Sequence, residues 1–351
     1  MNLESRKLNV AVLGCGPIAQ FAHFESCQKG RNVELYAICD RAPDLLKRMN
    51  AIWQPHRAYA DLDELLADEN VEAVIVATAD AFHVPLALRC VEAGKHVMVE
   101  KPLSDDPAAC YRLHKAAERH GVHVQIGHMK RFDPGIEFAK NFVTEKLGEI
   151  IAFKGWYCDN VQRYTFTDNV QPLPVRSQFA TKPTVDPKAD LEYYYMMAHG
   201  SHLIDTAIHL VGPIARISAQ LRNVRDAYCW FVQIEFANGT LGHLDLTIKL
   251  RADWHEGFTI YGEHGSVFAK TPNPWFYQGS EVECYYEPEQ QYHRSLAVDG
   301  FSYRRQLEHF ADVILNKVTP KGTNTTDAAH IAAVMRAVWQ SSKSGGTMVE
   351  F

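Results

Sequence analysis

The chain has 351 residues, 46% of them apolar and 22% charged, and a formal net charge of −6. That length predicts two domains in an ordinary globular protein, and the excess of acid argues against nucleic acid or an anionic membrane as partner. With no run near the ~20 apolar residues of a membrane span, no signal-peptide core in MNLESRKLNVAVLG and eight scattered cysteines without a C-x-x-C pair, a cytoplasmic protein with reduced thiols is expected.

The first third alternates short apolar strands with helical patterns. Strands are predicted at 8–13, 33–38, 73–77, 96–99 and 122–126, and helices at 18–28, 43–50, 62–68, 82–93 and 107–120. Strand–helix alternation implies βαβ units and a parallel sheet. The strands are almost continuously apolar, as when helices cover both faces. Asp61 is placed as an N-cap, and Gly94 and Gly121 as helix stops.

The pattern then changes. A helix is predicted at 132–147, followed by strands at 150–157, 215–221, 228–236, 240–250, 258–262, 266–270 and 282–287, and by closing helices at 303–316 and 326–342. Period-two alternation and turns such as Asn238-Gly239 predict a large, open, mostly antiparallel sheet. The expected architecture is therefore α/β. A doubly wound parallel Rossmann sheet (residues 1–126) precedes an α+β domain for substrate binding and oligomerisation (residues 127–351). The polar, proline-containing stretch 159–192 reads as an insertion over the site or an arm to a neighbouring subunit.

Four motifs carry chemistry. Gly14-Cys15-Gly16-Pro17-Ile18-Ala19 follows a strand and opens a helix, the context of a dinucleotide fingerprint. Gly14 permits the turn, Gly16 lets a pyrophosphate approach the backbone, and Ala19 keeps helix and strand close. Asp40 lies roughly 20–25 residues on, where an acid accepts from the ribose hydroxyls and favours NAD. Arg41 beside it could instead pair with the 2′-phosphate of NADP. Glu100-Lys101-Pro102 ends a strand, and a lysine there can stabilise a developing alkoxide or be merely a surface charge. Gly200 to His209 places Asp205 and His209 at i, i+4 on one helix. They can serve as an acid–base pair, form part of a metal set with His199 and His202, or make a polar helix surface.

These elements in this order resemble the Gfo/Idh/MocA oxidoreductase family. The resemblance runs through Gly14–Ala19, Asp40, the segment Ala77-Thr78-Ala79-Asp80-Ala81-Phe82-His83, Glu100-Lys101-Pro102, G-x-x-x-x-D-x-x-x-H from Gly200, and Gly262–Ser266. It implies NAD(P) held by Gly14, Cys15, Gly16, Pro17, Ile18, Asp40, Arg41, Thr78, His83, Glu100 and Lys101, with NAD favoured over NADP. It implies Lys101, Asp205 and His209 as the catalytic set, and substrate contacts from these three with Lys130, Arg131, His199 and His202. No resident metal is implied. His128–Pro134 is similar to the family's M-R-R-F/Y-D-P stretch, with Lys130 in place of the first arginine, which is not a conservative exchange. Gly200-Ser201 stands where the family has Gly-Gly.

The expected activity is oxidation of a secondary hydroxyl of a sugar, glycoside or inositol-like cyclitol to a ketone, in a homo-oligomer. Three alternatives remain at this level: a sugar hydrolase or epimerase with transient redox, a dinucleotide-binding regulator, and a metal-dependent enzyme.

Overall fold

The computed structural model describes residues 6–160, 174–186, 188–296 and 300–351. Part of the 159–192 stretch read as an insertion or arm, residues 161–173 and 187, lies outside the described residues. The chain forms two compact units. The first takes in Met1–Met129, Pro172–Ala189 and Tyr303–Ala329, and the second Lys130–Gln171, Asp190–Ser302 and His330–Phe351.

The first unit is built on six strands: β1 (Leu8–Leu13), β2 (Val33–Cys39), β3 (Arg57–Tyr59), β4 (Ala73–Val76), β5 (His96–Val99) and β6 (Val124–Ile126). They are all parallel, in the order β3-β2-β1-β4-β5-β6. The order reverses between β1 and β4, and ligands bind such sheets at the carboxyl ends of the strands beside that reversal. The crossover helices are α1 (Phe24–Lys29, entered through a π turn at Ala19–His23), α2 (Pro43–Trp53), α3 (Leu62–Ala67), α4 (His83–Glu92) and α5 (Pro107–His120). Capping follows the residue chemistry. Asp61 accepts from Asp63 N–H, Asp106 from Ala108 N–H, and Gly121 closes α5 at φ +65°. The helix Ser302–Asn316, which precedes the last helix (Thr325–Lys343), belongs to this core. Its Leu307, Phe310 and Ala311 are fully buried with Leu8, Phe24 and Val33.

Beside that helix, His123 packs its ring 5.5 Å from Phe310. Burial, then the neighbouring His96 and His309, lower its pKa from 6.5 to about 4. Because the folded-state value is the lower one, the neutral ring stabilises the fold above pH 6.5, and this contribution fades as the pH falls from 6.5 towards 4. By linkage the loss at pH 5 is about 2 kcal/mol. Urea unfolding of His123→Leu is expected to show a pH 7-to-5 stability difference smaller by about that amount; an unchanged slope would remove His123 as its source.

The second unit begins with α6 (Pro134–Glu145) and β7 (Ile150–Asn160), followed by the long helix α7 (Leu191–Leu210). Then come β8 (Ile214–Val224), β9 (Ala227–Phe236), β10 (Leu241–Leu250), β11 (His255–Gly262), β12 (Gly265–Lys270), β13 (Glu281–Tyr286) and β14 (Gln291–Arg294), with the short β15 (Val349–Glu350) after the last helix. The nine strands run β14-β13-β12-β11-β7-β10-β9-β8-β15. Every pairing is antiparallel except β7 with β10, so the sheet is mixed. Burial alternates along β9, with Tyr228, Trp230, Val232, Ile234 and Phe236 buried. The opposite phase stays open: Phe231 is 52% exposed and Leu241 63%. Among the described residues no helix is long and apolar enough to cross a membrane.

Candidate active site

The nucleotide cradle forms at the carboxyl end of β1. Gly14 adopts φ +97°, and a Cβ there would lie 2.7 Å from the Ala77 carbonyl oxygen. Conformation and close approach both demand glycine at that position. Gly16 differs, because a Cβ there would meet nothing within 4 Å. Packing within the protein does not require its small size, whereas a diphosphate lying against the backbone does. Asp40 organises the turn: Oδ2 accepts from Cys15 N–H at 2.7 Å and Oδ1 from Ala42 N–H at 2.8 Å. Each carboxylate oxygen retains a lone pair for a ribose hydroxyl. Pro17 and Ile18 lead into the π turn, and Arg41 is exposed. The Thr78 hydroxyl, beside Gly14, is buried without a hydrogen-bond partner. Open space at Gly16, the acid at Asp40 and that hydroxyl all fit a dinucleotide.

Glu100 follows β5 and is 5% exposed. Burial alone would raise its carboxyl pKa, but the hydrogen bond from His23 (2.9 Å) and the nearby charges of His23 and Lys101 hold it below its ordinary value. Its other oxygen accepts from Lys101 N–H at 3.3 Å. His83, expected at the cofactor, has both ring nitrogens on backbone oxygens. Nδ1 is 2.7 Å from the Pro102 carbonyl and Nε2 3.1 Å from that of Thr78. The His83 side chain therefore ties the end of the β4 loop to the turn that carries Lys101.

In the second unit Asp133 caps α6, accepting from Gly135, Ile136 and Ser280 N–H groups. The cap fixes the preceding Lys130 and Arg131, which are both buried. Arg131 grips Asp205 in a fork, Nε to Oδ1 and Oδ2 at 3.0 and 3.1 Å and an Nη to Oδ1 at 2.7 Å. Lys130 forms a short ion pair with Glu256 and lies 4.4 Å above the Tyr157 ring. Burial raises the Glu256 carboxyl pKa against the pull of Lys130. Tyr157 is the hub. His202 stacks on it at 5.9 Å and 2°, its hydroxyl lies 3.4 Å from His199 Nδ1, and Trp254 meets it edge-on at 5.2 Å. His199 Nδ1 also lies 3.6 Å from the buried Asp159. Asp205 and His209 both fall on α7, one turn apart, with His209 half-buried in the last turn. Among the described residues no three of His, Cys, Asp or Glu are arranged to hold a metal ion.

Residues 8–128 match the profile of an oxidoreductase family with an NAD-binding Rossmann fold, and residues 195–351 that family's C-terminal alpha/beta domain. The chain belongs to the Gfo/Idh/MocA oxidoreductase family. Over 273 residues it is 28% identical to the myo-inositol 2-dehydrogenase of Thermotoga maritima, covering 75% of each chain. Over 215 residues it is 25% identical to the 4-carboxy-2-hydroxymuconate-6-semialdehyde dehydrogenase of a Sphingobium strain, with 60% of this chain and 62% of that relative's length covered. A levoglucosan dehydrogenase in complex with NADH and levoglucosan matches with a TM-score of 0.78 at 18% identity, covering 98% of this chain and 99% of that one. At that identity the likeness shows the fold.

Sequence reasoning about this Gfo/Idh/MocA chain missed Asp159, Glu256 and Trp254. A signal was available for two of them. Tyr157 and Asp159 alternate on β7, so they share a face. Glu256 occupies the buried phase of the alternation Glu256-Phe258-Ile260, where a carboxylate needs a partner.

Proposed function

We propose that this chain is an NAD-dependent dehydrogenase that oxidises one secondary hydroxyl of a sugar, glycoside or cyclitol to a ketone. The observation that carries this reading is the Tyr157-centred cluster. A sugar or cyclitol ring offers a rim of hydroxyls, which suits imidazoles, an ammonium and carboxylates; the buried Tyr157 ring, stacked by His202 and lying beneath Lys130, holds these groups in place. The myo-inositol dehydrogenase relative supports the same substrate class. Cofactor binding is assigned to the first unit, and substrate binding and subunit contact to the second.

The bound dinucleotide supplies the hydride acceptor; the residues position the ring and move its proton. His209 takes the hydroxyl proton as general base. Lys101, at the carboxyl end of β5, stabilises the alkoxide. Asp205, one helical turn from His209 and fixed by Arg131, favours the imidazolium that forms. Lys130, Arg131, His199 and His202 shape the substrate face. Asp40 selects NAD, since a 2′-phosphate would meet a carboxylate already anchored to two backbone N–H groups. The open phase of the large sheet, with Phe231 and Leu241 exposed, is assigned to contact with a second copy.

The test is absorbance at 340 nm with NAD or NADP and a panel of inositols, aldoses and glucosides, on protein whose mass in solution is measured by sedimentation. NADH formation from one ring class, faster with NAD, is expected from a preparation heavier than a monomer. No reduction across the panel would reject the dehydrogenase assignment, NADP preference the role of Asp40, and a monomer the assigned sheet contact.

A further inference from the structure

In the first unit, the turn that carries Lys101 is held by a buried histidine on each side. After the lysine, His83 Nδ1 lies 2.7 Å from the Pro102 carbonyl. Before it stands Glu100. One of its carboxylate oxygens accepts from Lys101 N–H at 3.3 Å, and the other lies 2.9 Å from His23 Nε2. An ionised carboxylate can only accept, so the imidazole is the donor.

His23 and Glu100 are 1% and 5% exposed. His23 closes the π turn Ala19–His23 that follows the glycine turn, and turns of this kind are frequent at functional sites. The Tyr303 ring meets the imidazole edge-on at 6.1 Å. His23 Nδ1 is buried without a hydrogen-bond partner, so the bond to Glu100 is what sets the ring. At the end of β6, Gly127 closes the other side of the carboxylate. A Cβ there would lie 3.1 Å from Glu100 Oε1 and 3.2 Å from its Cδ.

Stability alone does not account for such a pair. Buried ion pairs can often be exchanged for apolar side chains of similar volume at little or no cost. Neither residue takes part in the hydride or proton transfer proposed above. What the pair does reach is the backbone of the lysine.

We propose that His23 is a positioning residue for Lys101: through Glu100 it fixes the turn after β5, so that the ammonium stands where the alkoxide develops. The proposal rests on the dehydrogenase reading above and adds a residue to it. Misplacing a reacting or stabilising group by about 1 Å can cost roughly 100-fold in rate, which sets the scale of the effect.

The experiment is a double-variant cycle in kcat on the full chain with NAD and the inositol, aldose or glucoside that gives NADH in the panel above. His23→Leu and Glu100→Met are each expected to lower kcat by about 10–100-fold, and His23→Leu to leave NADH affinity, read by fluorescence, as in the wild type. The double variant is expected to lose no more than the larger single loss, because both residues act through one chain of contacts. His23→Gln places an amide donor where Nε2 stands and is expected to recover most of the loss. Where His23→Leu does not fold, the double variant, which leaves neither polar group buried alone, carries the test with His23→Gln. Wild-type kcat in folded His23→Leu or in the double variant overturns the proposal. So do single losses that multiply in the double variant, a His23→Gln no better than His23→Leu, or a fall in NADH affinity that matches the fall in kcat. A wild type inactive across the whole panel instead rejects the dehydrogenase reading, and the role of Lys101 with it.

Discussion

Replacing His209 with alanine is expected to lower kcat by roughly 10²–10⁴-fold and to leave NAD affinity unchanged. The argument starts from the helix. His209 lies in the last turn of α7, half-buried, one turn beyond Asp205. Side chains at i and i+4 of a helix are neighbours, so the proposed base stands beside the carboxylate that Arg131 holds. Alanine removes the proposed proton acceptor and leaves the glycine turn and Asp40 untouched. Lys101→Ala is expected to lose roughly 10²–10³-fold in kcat, the usual cost of removing one stabiliser of a developing oxyanion. Steady-state kinetics with NADH-binding fluorescence separates the two roles. Nearly full turnover in His209→Ala, with turnover lost in Lys101→Ala, would make the lysine the proton relay.

Arg131→Met is the change expected to cost most in stability. Asp205 is 1% exposed, and the Arg131 fork grips it through three contacts of 2.7–3.1 Å. Removing one member of a buried pair leaves a charge without compensation and destabilises by about 3–5 kcal/mol. Replacing both members with apolar side chains of similar volume is often close to neutral. The double variant Arg131→Met/Asp205→Leu is therefore expected to recover most of the loss. Calorimetric scans of the wild type, both single variants and the double variant form the cycle. Since the chain has two compact units, the transition that shifts with Arg131 is the one to follow. A single variant within about 1 kcal/mol of wild type would show that the pair is not a structural keystone.

The first unit was legible to within a few residues at most boundaries. Predicted strands 8–13 and 96–99 and the helix 107–120 coincide with β1, β5 and α5. Continuous apolar runs, Asx caps and glycine stops are local signals, and here no distant contact overrode them. The three-residue β3, the four-residue β14 and the two-residue β15 escaped, because strands that short carry no period and exist only by pairing with a neighbour. The first half of α7 escaped for another reason. Gly200 lies inside this helix, although glycine costs about 1 kcal/mol there relative to alanine, and its missing Cβ makes room for Met196, whose sulfur lies 2.8 Å from where that Cβ would be.

The same division holds for the site. Local order along the chain determined the glycine turn, the acid after β2, the lysine after β5 and the Asp205–His209 spacing, because each depends on residues within one or two elements. Only the tertiary structure decided what those groups touch. Asp205 is gripped by Arg131, 74 positions away, and Lys130 meets Glu256, 126 positions away. Both ring nitrogens of His83 are taken by backbone carbonyls. Pairings across such distances are set by how helices pack on sheets and by the cost of burying a charge alone. Neither quantity is written in the spacing of the residues themselves.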